Sequence, residues 1–402
     1  MPGPGQYDTV LASPLVKLTV NSRSCNSGTW TQLRPICLGT YVRTTIIDKL
    51  VLDFINRHAG LDTPLRTSLS TQATQAAPIE SPPSPSTPTQ TNPSPQLLTP
   101  HLTRRKVQII SLGAGTDTRF FRLLQHHPHL AEHLIYHELD FLATTLKKIQ
   151  AIKRHTSVKD LLLTAASRAT ATGNDPDSGQ LSRSGEDLGG TYVHISADGT
   201  ALTSPLYNIH AVDLRDLAQP TSITRSHPPA LPNLHPDIPT LLLSECCLTY
   251  LPAATSTALL ASFATTLIPR PAPLEVVMYE PLHPHDVFGK TMRANLASRG
   301  ISMPGVDAFP DLEAHERRLR EVLGKGHSGQ GNTAREDGEQ GKSGSAKEGV
   351  EFEGWTIKDV WDSMVTVEEK ERSRRCEMVD EEEEWVLLAG HYGVVRGWRT
   401  QI

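Results

Sequence analysis

Gly113 and Gly115 break the apolar run Val107-Gln-Ile-Ile-Ser-Leu112, and a helical pattern resumes beyond them in Thr118-Arg-Phe-Phe-Arg-Leu123. Two glycines where a strand turns into a helix let a ligand approach the main chain closely, because neither carries a Cβ. A second apolar run ends in Tyr136-His-Glu-Leu-Asp140, putting a carboxylate where it could accept both hydroxyls of a ribose. A third ends in Val212-Asp213-Leu214, where Asp213 and the main chain at Leu214 could meet an adenine edge. A helix N-cap explains that aspartate equally well. A fourth, Leu241-Leu-Leu-Ser-Glu245, delivers a carboxylate straight after residues that read as buried on both faces. Glu245 is therefore not an ordinary surface charge. Together these residues describe the nucleoside-binding crevice of an enzyme. Position 118 is threonine where a G-x-G-x-x-G fingerprint needs its third glycine, so a dinucleotide's pyrophosphate is disfavoured.

The elements that hold such residues follow from periodicity. Strands are expected at 107–112, 134–138, 209–213, 240–245 and 274–279, and helices at 117–126, 141–153, 253–267 and 286–299. This alternation defines an α/β fold with a mostly parallel sheet covered by helices on both faces. Upstream, Val42, Ile46, Ile47, Leu50, Val51, Phe54 and Ile55 recur at helical spacing, with Arg43 in the first turn. Residues 1–38 read as an irregular N-terminal segment, and 39–402 as one domain with flexible insertions at about 65–100, 165–190 and 325–348. The first insertion, with Ser81-Pro-Pro-Ser-Pro-Ser-Thr-Pro88, buries too little apolar surface to offset its ordering entropy. Strand-like pieces around Gly390 and Gly393, between Trp385 and Trp398, predict an antiparallel hairpin closing one edge.

Composition removes several classes. The 402 residues carry a formal net charge of −5, which gives no electrostatic ground for binding bulk nucleic acid. Five cysteines, at 25, 37, 246, 247 and 376, form neither a disulfide framework nor a ligand spacing, as in a reducing compartment. No run of about eighteen apolar residues and no apolar leader is present, so a cytoplasmic protein without a membrane partner is expected. Cys246 and Cys247 would point to opposite faces of a strand and read as packing, not as a nucleophilic pair. His126-His-Pro-His129 and His283-Pro-His285 lack recognisable ligand partners, and no metal is expected. Arg119 and Arg122 read as a solvated helix face. Tyr250 and Tyr279 are candidate hydrogen-bond donors at strand ends, with aromatic packing as the blander role.

In order and spacing, several motifs resemble the leucine carboxyl methyltransferases. They are Gly39-Thr-Tyr-Val-Arg-Thr44, Leu112-Gly-Ala-Gly-Thr-Asp-Thr-Arg119, Glu138-Leu-Asp-Phe141 and Asp213-Leu-Arg-Asp-Leu217. To these are added Ser244-Glu-Cys-Cys-Leu-Thr-Tyr-Leu251 and Tyr279-Glu280 followed by Asp286-Val-Phe-Gly-Lys-Thr-Met292. The resemblance spans most of the chain outside its insertions. It implies a class I S-adenosylmethionine-dependent methyltransferase with a Rossmann-like, seven-stranded sheet. It further implies S-adenosyl-L-methionine as cofactor and, as acceptor, the C-terminal leucine carboxyl group of the protein phosphatase 2A catalytic subunit. Carried over, Arg43 would bind the methionine carboxylate, with Gly113 lining the same site and Gly115 in the same turn. Asp140 would hold ribose, Asp213 and Leu214 adenine, and Glu245 would complete the pocket. A C-terminal carboxylate is ionised at neutral pH, so its methylation calls for positioning and exclusion of water and needs no general base. One departure stands out: the family's N-terminal lysine and Gly-Tyr-x-x-Asp-Pro motif are not evident in residues 1–38, where Lys17 is the only lysine. Two alternatives stay open: an O-methyltransferase for another small-molecule or tRNA-linked carboxylate or hydroxyl, and a non-catalytic regulator that binds cofactor or phosphatase. A monomer is expected.

Overall fold

The computed structural model describes residues 30–61, 105–171, 185–188, 192–218, 229–324, 349–377 and 382–399. Helix α1 runs over Trp30–Ala59, so the segment expected to be irregular through residue 38 is helical from Trp30. Extending a helix costs far less than nucleating one. The buried stripe from Leu38 to Ile55 supplies the nucleus.

The chain then alternates strand and helix: β1 (Val107–Leu112), α2 (Arg119–His126), β2 (Leu134–Asp140), α3 (Leu142–Arg154) and α4 (Thr156–Thr170). Three short strands follow, β3 (Gly185–Asp187), β4 (His194–Ser196) and β5 (Leu202–Thr203), leading into β6 (Tyr207–Ala211) and the single turn α5 (Leu214–Leu217). Next come β7 (Thr240–Glu245), α6 (Ala253–Ser262), β8 (Leu274–Pro281), α7 (Val287–Ala297) and α8 (Leu312–Gly324). The C-terminal part holds β9 (Val350–Thr356), α9 (Ile357–Met364), α10 (Val367–Glu377), α11 (Glu382–Gly390) and β10 (Tyr392–Arg399).

Strands β6-β2-β1-β7-β8 pair in parallel in that order, and β10 lies antiparallel between β8 and β9. Their number is the seven that the resemblance implies, although β9 lies where no strand was expected. Beyond β6 the sheet continues antiparallel through β5, β4 and β3, giving ten strands among the described residues. The insertion expected at about 165–190 is thus narrower. Ala165, Ala166 and Ala169 are buried and carry α4 to Thr170, and β3 occupies 185–187. The insertions expected at about 65–100 and 325–348 lie outside the described residues. The C-terminal hairpin is corrected too. Trp385 and Ala389, one helical turn apart, are both buried, so the first half is helical and α11 packs on α1. Only β10 joins the sheet, in its interior, and β9 takes the edge.

Alternation along the strands builds a core on each face. Val107, Ile109, Val277 and Val394 pack with α1, α2 and α4, while Ile110, Leu112, Val276, Met278 and Val395 pack with α6 and α8. Strand order reverses at β1, which has β2 on one side and β7 on the other. That reversal opens a crevice beyond the carboxyl ends of the strands, where ligands bind in open α/β sheets. Among the described residues no helix is long and apolar enough to cross a membrane.

Between β2 and β6, His137 and His210 stack inside the protein, with Nδ1 and Nε2 3.0 Å apart. Burial holds His137 well below its ordinary range, aided by His210 and His235, and brings His210 down to about 4. A histidine depressed in the folded state contributes stability that is complete above its unfolded pKa near 6.5 and is lost as pH falls towards the folded value. His210→Asn should therefore flatten the fall of unfolding free energy between pH 6.5 and 4.5, by up to about 1.4 kcal/mol per pH unit. Urea titrations across that range, on both proteins, check this; parallel curves would contradict it. His137, relieved of its neighbour His210, adds to the flattening, and groups elsewhere in the protein act alike in both.

Candidate active site

At the end of β1 the chain turns sharply, with Gly113 at φ +60° and Gly115 at φ +54°. The turn is held against β2 by the Gly113 N–H, which donates to the Leu139 carbonyl at 2.8 Å. Gly115 donates its N–H to Asp140 Oδ2 at 2.7 Å, and Phe141 donates to Oδ1 at 2.6 Å. Each oxygen keeps acceptor capacity beyond those bonds. On the far side, a Cβ at position 113 would stand 2.6 Å from Cys247 Sγ. Gly113→Ala should thus cost about 1–3 kcal/mol through the left-handed backbone alone, with the clash in addition. Pairing it with Cys247→Ala should restore only the clash component. Urea midpoints of both variants measure the split, and a Gly113→Ala protein as stable as the original would contradict it.

Arg119 and Arg122 are not a solvated face. Arg119 is 2% exposed and makes three ion pairs. Its Nε donates to Asp48 Oδ1 at 2.7 Å, and its Nη1 donates to Asp117 Oδ2 and to Glu245 Oε1, both at 2.6 Å. Arg122 reaches Asp48 with Nη2 at 2.8 and 3.0 Å. Helix α2 turns these side chains under α1, because Phe120, Phe121, Leu123 and Leu124 fill the apolar part of the same buried surface. Burial opposes ionisation of Asp117, but Arg119, Arg122 and Lys148 outweigh it and hold the carboxyl below its usual range. Lys148 also donates to the Asp117 carbonyl at 2.7 Å and ion-pairs with buried Glu138. A hint of this cluster was present in the sequence. Asp48 borders the apolar stripe of α1, and Asp117 precedes two arginines spaced by three on a helix.

Glu245, at the carboxyl end of β7, meets Arg119 from one side and Arg43 from the other, with Arg43 Nε 3.4 Å from Oε2. That Nε is buried and has no hydrogen-bond partner. The Arg43 guanidinium also lies over the Tyr279 ring, 5.3 Å from its centroid. Arg43, Gly113 and Glu245 therefore converge, with Asp140 bound to the same glycine turn.

Asp213 is an N-cap: it accepts from the Arg215 N–H at 3.0 Å and pairs with the Arg215 guanidinium. It follows β6, which ends at Ala211, two residues short of the expected strand. The Val212 N–H donates to the Asp140 carbonyl at 2.9 Å, setting the start of α5 and buried Leu214 beside the end of β2.

Cys246 and Cys247 lie in the turn after β7, not within a strand, and Cys246 has φ +47°. Burial raises both thiols, Cys247 to about 12, so neither is a ready nucleophile. Tyr279 is buried and stacks on Tyr392 with ring centroids 5.3 Å apart. Tyr250 is 43% exposed. Tyr392, which the sequence reading did not single out, reaches Met292 Sδ with its hydroxyl at 3.5 Å.

The sheet order, with its antiparallel penultimate strand and an acid at the end of β2, defines a class I methyltransferase, an enzyme class that uses S-adenosylmethionine. The family model for leucine carboxyl methyltransferase matches residues 94–264. The chain is 37% identical over 389 residues to Leucine carboxyl methyltransferase 1 of Aspergillus fumigatus, covering 93% of this chain and 75% of that protein. It is 31% identical to the Schizosaccharomyces pombe protein of the same name, covering 71% of each. The chain belongs to the leucine carboxyl methyltransferase family. Solved structures align only distantly. The Haemonchus contortus phosphoethanolamine N-methyltransferase 2 in complex with S-adenosyl-L-methionine gives a TM-score of 0.35 and 11% identity, over 74% of this chain and 49% of that one. The plantazolicin methyltransferase BpumL in complex with SAH gives 0.30 and 9%, over 73% and 76%. Likeness at that level transfers no site residue.

Proposed function

We propose that this methyltransferase esterifies the carboxylate of a C-terminal leucine, with the catalytic subunit of protein phosphatase 2A as its acceptor. The protein acts as a cytoplasmic monomer through a single methyltransferase domain. The observation that carries the cofactor assignment is Arg43, a half-buried cation whose Nε makes no hydrogen bond and whose ion pair, 3.4 Å to Glu245, is with a carboxylate already bonded to Arg119. A carboxylate is the natural complement to such a donor. Asp140 has acceptor capacity left for ribose hydroxyls, and the crevice wall at Leu214 is apolar enough for a base. Asp213 is engaged by Arg215, so the contact to adenine falls to Leu214 and its main chain.

When bound, S-adenosylmethionine supplies an electrophilic methyl group. The acceptor arrives already ionised, so no residue needs to take a proton from it. The protein's task is alignment and exclusion of water. The exposure of Tyr250 supports it as a donor to the incoming carboxylate, one that does not pair with it as a full charge. Incubation with methyl-tritiated S-adenosylmethionine and phosphatase catalytic subunit should give label that mild base releases as methanol. Base-stable label would place the methyl group elsewhere and sink this reading.

A further inference from the structure

Behind the turn that follows β7 lies a small, partly open space whose lining includes Leu248, Thr249, Glu280, Phe309, His315 and Arg318. Arg318 lies over the Phe309 ring, 4.1 Å from its centroid, but much of the polar lining makes no hydrogen bond. Glu280 Oε2, Thr249 Oγ1, both ring nitrogens of His315, and Nε and Nη2 of Arg318 are buried without hydrogen bonds. Glu280 and Arg318 are 3% and 4% exposed, so a carboxylate and a guanidinium face one cavity without touching. An anion there would meet Glu280, and a cation would meet Arg318. Water suits both, accepting from the guanidinium and donating to the carboxylate. The room for the centre of a water molecule is about 10 Å³, which fits one.

The cavity backs the residues that present the site. The other oxygen of Glu280, Oε1, accepts the Leu248 N–H at 3.1 Å, and Cys246 donates its N–H to the Tyr279 carbonyl at 2.8 Å. Gly305 donates to the Thr249 carbonyl at 3.1 Å, and any Cβ there would lie 2.7 Å from the Leu251 carbonyl oxygen. Cys246 holds φ +47°, a conformation that a side-chain-bearing residue keeps only where its surroundings impose it. The clamp on Leu248 and Cys246 imposes it.

We infer that Glu280 is a positioning residue, joined to Arg318 through one bound water, and that this pair sets the turn presenting Glu245 and Tyr250. The inference rests on the cofactor assignment above. Burial raises the Glu280 carboxyl to about 7, as expected of an acid without a direct cationic contact. The pair thus acts on the cofactor and the acceptor through the turn, without touching either.

The test uses Glu280→Gln, which keeps an acceptor for Leu248, Arg318→Met, and the double variant. Each single variant should raise the dissociation constant for S-adenosylhomocysteine tenfold or more and lower kcat. The double variant should be no worse than the poorer single. Multiplicative losses overturn the inference, as does a folded single variant with unchanged affinity and kcat. If a single variant fails to fold, recovery of the fold in the double supports the pair, and failure of the double as well overturns it. A crystal structure should show one ordered water between Glu280 and Arg318, and direct contact or an ion there overturns that part. An original protein that does not bind S-adenosylhomocysteine would instead fail the cofactor assignment itself.

Discussion

Arg119→Met should lower the unfolding free energy by about 3–5 kcal/mol, the range for removing one partner from a buried ion-pair network. Methionine fills a similar volume, so lost packing contributes little. Asp48, Asp117 and Glu245 would all lose the cation they share, and Arg122 reaches only the first of them closely. The effect is large because Arg119 is enclosed, whereas exposed ion pairs contribute about 0–1 kcal/mol. Urea unfolding measures the loss. A change below about 1 kcal/mol would mean that Arg119 is solvated in solution. Cofactor affinity should fall as well, because Glu245 takes its position between Arg119 and Arg43.

Arg43→Ala should do the reverse, weakening cofactor binding with little cost to the fold. Glu245 keeps the 2.6 Å bond from Arg119, and Arg43 Nε gives up no hydrogen bond. Hydrogen bonds to charged groups contribute about 1.5–3 kcal/mol, which corresponds to roughly a tenfold to hundredfold rise in the dissociation constant. Calorimetry with S-adenosylhomocysteine reads it directly, and unchanged affinity would remove Arg43 from the site. Asp140→Ala, at the other end of the crevice, should weaken binding comparably. Its fold has more to lose, because two backbone N–H groups depend on that carboxylate.

The parts legible in the sequence were those with local causes. Buried parallel strands are continuous apolar runs, so β1 and β7 match the expected bounds, and the acids at their neighbours' ends mark the crevice. Gly113 and Gly115 announced a left-handed turn that the backbone adopts. The rest depended on distant partners. Arg119 and Arg122 look solvated on a helix considered alone, and only α1, crossing from some seventy residues upstream, supplies Asp48 to bury them. Gly390 and Gly393 read as strand punctuation, but the burial of Trp385 and Ala389 against α1 makes the first half helical. Asp213 had two readings in the sequence, and the Arg215 N–H shows the cap among them. The Glu280 and Arg318 cavity had no signature in the sequence at all. It is assembled from β8, α8 and two loops.

The central claim joins a cofactor crevice to a particular acceptor, a leucine carboxylate at the end of a polypeptide. Methyl transfer from labelled S-adenosylmethionine should therefore be measured to the intact phosphatase 2A catalytic subunit and to the same subunit lacking its terminal leucine. The account predicts stoichiometric, base-labile labelling of the first and none of the second. Equal labelling of both, or none of either by a protein that binds the cofactor, would contradict it.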